Sequence, residues 1–196
     1  KWNQLYDIGD VGPKNGWVFF DRNDDKWNYL AHLGDYDYRE EDTWRYMEAA
    51  QSDLPDASTW MPADIAPFVD DHYFNTAESD NDKIGYGESN TDTVRTYYEG
   101  KDNHACYAAW NHNHGLDGWF LPSVGELDAL LKAFADNPAA RNFTINRSYW
   151  SSTDLSWDQG WSMKFDDTGG SVSVVIDELT YQNKWEQRYV RPVRVF

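Results

Sequence analysis

The sequence predicts one α+β domain over residues 1–196, with antiparallel strands and helices set apart from them along the chain. Three observations carry this. One stretch repeats its apolar residues at helical period behind its own cap, and short alternating runs are joined by Gly-containing turns. The aromatic content, 11 Trp, 13 Tyr and 9 Phe in 196 residues, supplies enough apolar area for one good core. No internal repeat and no low-complexity linker divides the chain.

The elements follow in order. "DIGDVGPKNGWVFFD" (7–21) is a Gly/Pro loop feeding a strand at Trp17–Phe20. "TWRYMEAA" (43–50) is a second strand, with Trp44, Tyr46 and Glu48 on one face. The polar, acid-rich stretches 21–42 and 51–90 are long for loops in a compact domain, and long loops tend to be functional or poorly ordered. A short helix is predicted from Asn90 to Tyr98. Another runs from Asp102 to about Trp110, where Cys106, Ala109 and Trp110 share a face and Cys106 is a small core group. The clearest helix is "LPSVGELDALLKAFADNP" (121–138). Ser123 and Glu126 form a capping box, Leu127, Leu130, Leu131 and Phe134 line one face, and Asn137-Pro138 stops it.

Beyond residue 148 the period changes to two. Trp161, Met163 and Phe165 alternate with Ser162 and Lys164, "DDTGG" (166–170) turns the chain, and "SVSVVI" (171–176) pairs back as a hairpin. "RYVRPVRVF" (188–196) is a last strand, with Pro192 expected at an edge or irregularity because it lacks an amide donor. Trp150, Trp157 and Trp161 crowd into twelve residues. The pattern places Trp150 and Trp161 in the core. Trp157 sits in the polar loop "DLSWDQG", either exposed as a binding anchor or folded back over the hairpin.

Charge and motifs narrow the function. Lys plus Arg number 17 against 34 Asp plus Glu, a formal charge of −17, which repels nucleic acid, anionic membranes and sulfated glycans. A soluble, solvated surface explains that charge most plainly; calcium binding and attraction of a cationic partner are the sharper readings. The single cysteine, Cys106, excludes an intrachain disulfide. No run approaches the ~18 apolar residues of a membrane span, so no membrane insertion by this domain is expected. "DYDYREED" (35–42) fails the EF-hand pattern, since Arg39 and Glu40 stand where an oxygen ligand and Gly belong. A looser structural calcium site in the acidic loops stays open; no other cofactor is expected. His104, His112 and His114 lie near one another in sequence, but solvated loop histidines are the plainer reading than a metal site. No nucleophile elbow, phosphate loop or dinucleotide fingerprint occurs, and the chain is expected not to be an enzyme.

The ordered set "DIGDVGPKNGWVFFD", "TWRYMEAAQSDL", "GWFLPSVGELDALL", "YWSST…GWSMKF" and "YVRPVRVF" resembles the bacterial family typified by the C-terminal domain of the Legionella collagen-like protein. That family is similar in fold to the formylglycine-generating-enzyme branch of the C-type-lectin-like superfamily, which includes retroelement-diversified variable proteins such as the Treponema variable protein. The resemblance implies a twisted antiparallel sheet with flanking helices, Trp119, Trp150 and Trp161 as framework, and a ligand-binding face between Asp154 and about Gln187. The reactive cysteine pair of the formylglycine-generating enzymes is absent, as are the calcium-and-sugar triplets of true lectins. If adenine-directed diversification operates, Asp154, Leu155, Ser156, Ser162, Asp166, Ser171, Ser173, Asp177, Leu179, Thr180 and Tyr181 are permitted outcomes. Trp157, Gln159, Lys164, Trp185 and Glu186 would then be fixed by the template.

The expected function is a non-enzymatic ligand-binding module outside a bacterial cell or on its surface, binding a protein of another cell or of the environment. The ligand-binding residues are expected to be Asp154, Ser156, Trp157, Asp158, Gln159, Ser162, Lys164, Asp166, Ser171, Ser173, Asp177 and Tyr181, with Ser162, Lys164, Ser171 and Ser173 pointing outward from the hairpin. An adhesin domain that binds glycans as an oligomer is the alternative, and a metal-dependent enzyme the second alternative.

Overall fold

A computed structural model describes residues 5–24, 43–65, 74, 83–167, 172–176 and 183–196. The acidic stretch 35–42, the turn residues 168–170 and the candidate residues Ser171, Asp177 and Tyr181 lie outside them, as does much of the loops 21–42 and 51–90.

Two three-stranded antiparallel sheets form the frame. The first orders β1 (Trp17–Asp21), β2 (Tyr46–Ala49) and β6 (Val193–Val195) with β2 central. The second orders β3 (Ser148–Asp154), β4 (Gly160–Asp167) and β5 (Val172–Ile176) with β4 central. Three helices accompany them: α1 (Gly87–Tyr97), α2 (Ala105–Trp110) and α3 (Val124–Ala133). The α+β class with antiparallel pairing is as expected.

β2 is buried throughout because its charged residue has been neutralised in place. Glu48 is fully buried, accepts hydrogen bonds from Gly16 N (2.9 Å) and Lys14 N (3.2 Å), and takes Arg194 Nη1 at 2.7 Å. A buried carboxylate is tolerated only when so satisfied. Gly16 permits the approach, since a Cβ there would stand 2.6 Å from the Ala49 carbonyl oxygen.

α3 begins as its sequence dictates. Ser123 Oγ accepts from Glu126 N at 3.2 Å, and Glu126 Oε2 accepts from Ser123 N at 2.8 Å. Glu126 is fully buried and also accepts from Gly85 N (2.8 Å) and Gly87 N (3.2 Å), so one carboxylate ties the starts of α1 and α3 together. Burial pushes its pKa up to about 7 against the pull of those amides. The helix ends at Ala133, short of the expected stop. Asn137 instead caps a separate 3₁₀ turn, Pro138–Arg141.

The core has two parts on opposite faces of the second sheet. On one face Leu127, Leu130, Leu131 and Phe134 pack with Tyr149, Met163 and Phe165, and reach Phe19, Phe20, Met47 and Val193 of the first sheet. On the other, Trp150 packs with Trp60, Val94, Cys106, Ala109, Leu121 and Val190, bringing in α1 and α2. Strand β3 is therefore buried at every residue. Cys106 is fully buried, as expected, and burial pushes its thiol pKa well up. α2 is shorter than expected, and Trp110 is half-buried with the Arg95 guanidinium 4.4 Å over its ring.

Two expectations for the hairpin change. Trp161 is half-buried and belongs to neither core cluster, although it shares a strand with Met163 and Phe165. The core built around Met163 and Phe165 does not extend to Trp161. Ser162 does not point to solvent. It is 1 % exposed because it pairs with Trp150, and that side of the strand pair lies under the α1–α2 layer.

The segment 183–196 stitches the parts together. Ser58 bridges Arg188, Tyr149 bridges Tyr189 in parallel, Ala50 N donates to the Pro192 carbonyl (2.8 Å), and β6 then joins β2. Pro192 sits in the irregular step just before β6, where its missing donor costs no ladder bond. Arg191, 1 % exposed, meets Asp53 at 2.6 Å and donates to the carbonyls of Ala50, Arg141 and Asn142.

Candidate functional site

The β3–β4 turn is built around one carbonyl. Leu155 N (2.8 Å) and Ser156 N (3.1 Å) both donate to Gln159 O, and Ser156 Oγ donates to Asp158 Oδ1 at 2.5 Å. The entry of β4 passes beneath Trp60: a Cβ on Gly160 would lie 2.9 Å from that ring. The segment 183–187 lies alongside, through the Gln159–Asn183 bridge and a 2.9 Å bond from Lys184 N to Asp158 O.

Under this turn lies a buried ion pair. Lys184 Nζ is 3.4 Å from Asp154 Oδ2, with both side chains at most 1 % exposed. Asp154 Oδ2 also accepts from Phe74 N at 2.9 Å, while the ammonium stands 4.4 Å from the Trp60 ring and 5.5 Å from that of Phe74. Removing either partner would strand the other charge, so the pair holds the turn and the segment 183–187 in one arrangement.

At the surface, Leu155 and Trp157 are each 36 % exposed. Trp157 meets Trp185 edge to face, with centroids 6.5 Å apart and rings at 68°. Trp157 thus combines the two states open to it from sequence: it is held by a second indole yet presents a third of its surface. Such a contact is worth about 0.5–1.5 kcal/mol beyond area. Asp158 and Gln159 are half-exposed beside it.

The expected ligand-binding residues separate into groups. Ser156, Trp157, Asp158 and Gln159 gather in the turn. Lys164, Asp166 and Ser173 form a second patch on the hairpin, with Lys164 and Asp166 ion-paired at 3.4 Å and Ser173 opposite Asp166 and exposed. Ser162 lies between the two patches and is buried, and Asp154 is withdrawn into its pair with Lys184, so neither can meet a ligand at this surface. Trp185, Leu155 and Lys184 were not singled out as site residues. Trp185 was marked only as a residue that the template would fix, and no sequence pattern joins Lys184 to an acid 30 residues away.

The histidines do not converge. His104 is fully buried as the N-cap of α2, its Nδ1 accepting from Tyr107 N, and burial lowers its pKa to about 4. His112 stands edge-on to Trp119 and His114 is exposed in the 3₁₀ turn His112–Gly115. Among the described residues no group of three or more His, Cys, Asp or Glu is arranged to hold a metal, and no helix is long and apolar enough to cross a membrane.

No family model and no curated protein matches this chain. Among solved structures it is similar to a fimbrial protein from Bacteroides ovatus ATCC 8483, at 16 % identity and a TM-score of 0.58. The likeness covers 99 % of this chain and 46 % of that one, so the chain spans about half the length of that structure. At this identity what the two share is an α+β fold.

Proposed function

We propose that this chain is a non-enzymatic ligand-binding module displayed outside a bacterial cell, and that it binds a protein through the β3–β4 turn. The observation that carries the reading is the exposed Trp157 beside Leu155 and Trp185, mounted on a turn that a buried ion pair holds in place. An aromatic anchor with short polar neighbours on a rigid base is the composition of an adaptable binding surface. The Ser156, Asp158 and Gln159 side chains supply those neighbours, and the Lys164, Asp166 and Ser173 patch extends them along the hairpin. The fimbrial character of the similar structure supports surface display.

Within this reading the fold is a C-type-lectin-like one of the formylglycine-generating-enzyme branch, and the face is one that a retroelement diversifies. The turn and hairpin hold the codon-permitted Leu155, Ser156, Asp166 and Ser173 around Trp157, which the template would fix. A near-identical adenine-rich repeat and a reverse-transcriptase gene beside the coding sequence would support diversification; their absence would leave a fixed binding module.

The decisive comparison is a pull-down from host or neighbouring-cell surface extracts, wild type against the triple variant Trp157→Ala, Asp158→Asn, Lys164→Ala, with circular dichroism as the fold control. The folded triple variant should lose the partner that wild type retains. Equal capture by both would place the binding site elsewhere. A glycan-binding adhesin is the second reading, favoured by the fimbrial neighbour together with the paired indoles; neutral oligosaccharides competing with the captured partner would shift the assignment to it.

A further inference from the structure

The charges around the turn are unevenly compensated. Asp154 is neutralised by Lys184, Glu186 by Arg188 and Asp166 by Lys164. Asp158 has no cationic partner among the described residues; its Oδ1 accepts from the Ser156 hydroxyl, a neutral donor. This carboxylate follows Trp157 directly, in a turn closed so tightly that both side chains leave the same four-residue loop. On the same turn stand the Trp157 indole, which meets Trp185 edge to face with centroids 6.5 Å apart, and the exposed Leu155 side chain.

A π-face next to an unneutralised carboxylate is complementary to a cation that also has an apolar or planar body. An anion would face Asp158 unscreened, on a chain whose formal charge is −17. A purely apolar group would leave the carboxylate desolvated without a partner. Within the proposed binding function, on which this step rests, we infer that the Trp157–Asp158 site takes a guanidinium or ammonium side chain of a basic segment in the protein partner. The cation stacks on Trp157, pairs with Asp158, and has its aliphatic stem covered by Leu155 and Trp185. Arginine fits better than lysine, because its plane can lie on the indole while its edge donates to a carboxylate.

The test uses two short peptides of alternating glycine and arginine or glycine and citrulline, the latter isosteric but uncharged. The readout is the indole N–H resonances of Trp-labelled protein, with Trp157 and Trp185 assigned by substitution. The arginine peptide should shift both resonances saturably, and the citrulline peptide should not at equal concentration. Asp158→Asn should weaken the arginine peptide about three-fold, in line with an exposed charge pair, and Trp157→Ala should abolish the response at Trp185 with the fold intact by circular dichroism. Equal shifts with citrulline would overturn the cationic assignment, as would a response spread over the acidic surface that Asp158→Asn leaves unchanged. A response to neutral oligosaccharides alone would also overturn it, in favour of a sugar. Failure with these peptides while the natural partner still depends on Trp157 would remove the cation and leave the binding site standing; loss of both would remove both.

Discussion

Acidification should destabilise this protein through His104 specifically. The imidazole is fully buried, caps α2 through Nδ1, and lies edge-on to Tyr98 at 5.5 Å. Capping requires a lone pair on Nδ1, so protonation removes the cap and buries a charge at once. Burial is the main cause of the lowered pKa, assisted by the Arg95 charge and opposed by the Lys101 carbonyl and the Asp102 carboxylate. The folded group titrates at about 4 and its ordinary value is 6.5. Between those limits the unfolded chain binds a proton that the native state refuses, so stability present above pH 6.5 is lost as pH falls towards 4. At 1.36 kcal/mol per unit the full loss is about 3 kcal/mol, of which about 2 kcal/mol falls between pH 7 and 4.5. Glu126 acts in the opposite sense, because its raised pKa favours the native state at lower pH. The His104 contribution is therefore read from a difference. Urea unfolding of wild type and His104→Asn at pH 7, 6, 5 and 4.5 isolates it, since Asn keeps an N-cap acceptor without titrating. The variant should start less stable at pH 7, having lost ring contacts, and the gap should close by about 2 kcal/mol on reaching pH 4.5. A gap independent of pH would refute the neutral, buried imidazole.

Other outcomes follow from packing and charge. Trp150→Ala should cost about 3–5 kcal/mol in denaturant melts, because Trp150 is fully enclosed, whereas Trp157→Ala should cost under about 1.5 kcal/mol; equal losses would place Trp157 in the core. Lys184→Met should cost about 3–5 kcal/mol by stranding Asp154, and adding Asp154→Asn should recover part of it; no recovery would mean the two charges act independently. Native protein should resist thiol reagents at Cys106, and Cys106→Ser should still capture the partner; rapid native labelling with loss of capture would restore a chemical role for the thiol.

The parts legible in the sequence were those set by neighbours along the chain. The α3 cap, its Leu stripe, the Met163 and Phe165 face and the β4–β5 pairing all depend on residues a few positions apart, so spacing alone reveals them. What escaped depends on distant partners. Ser162 alternates like an outward residue, but Trp150 and a second layer of helices cover that side, and nothing near Ser162 in sequence announces them. Asp154 reads as a loop acid until Lys184, 30 residues on, is seen beneath the turn. The same blindness hid Trp185, whose value to the site comes from the indole it meets across the turn. Trp157 was poised between two readings because a period-two pattern ends at a turn, and only the packing around that turn decides how much of the ring stays wet.

The stitching segment 183–196 also bears on how the chain reaches its native state. Glu48 meets Arg194 across 146 positions, Asp53 meets Arg191 across 138, and the central strand of the first sheet gains its second neighbour only when β6 arrives. Contacts of such sequence separation must repay a large loop-closure entropy before they stabilise anything, which makes folding slow. During synthesis the first sheet cannot close until the last of these residues has been made, and β2 waits with one edge open and a carboxylate lacking its arginine. Until then, that exposed edge and the uncovered aromatic faces are the surfaces through which nascent copies would associate wrongly.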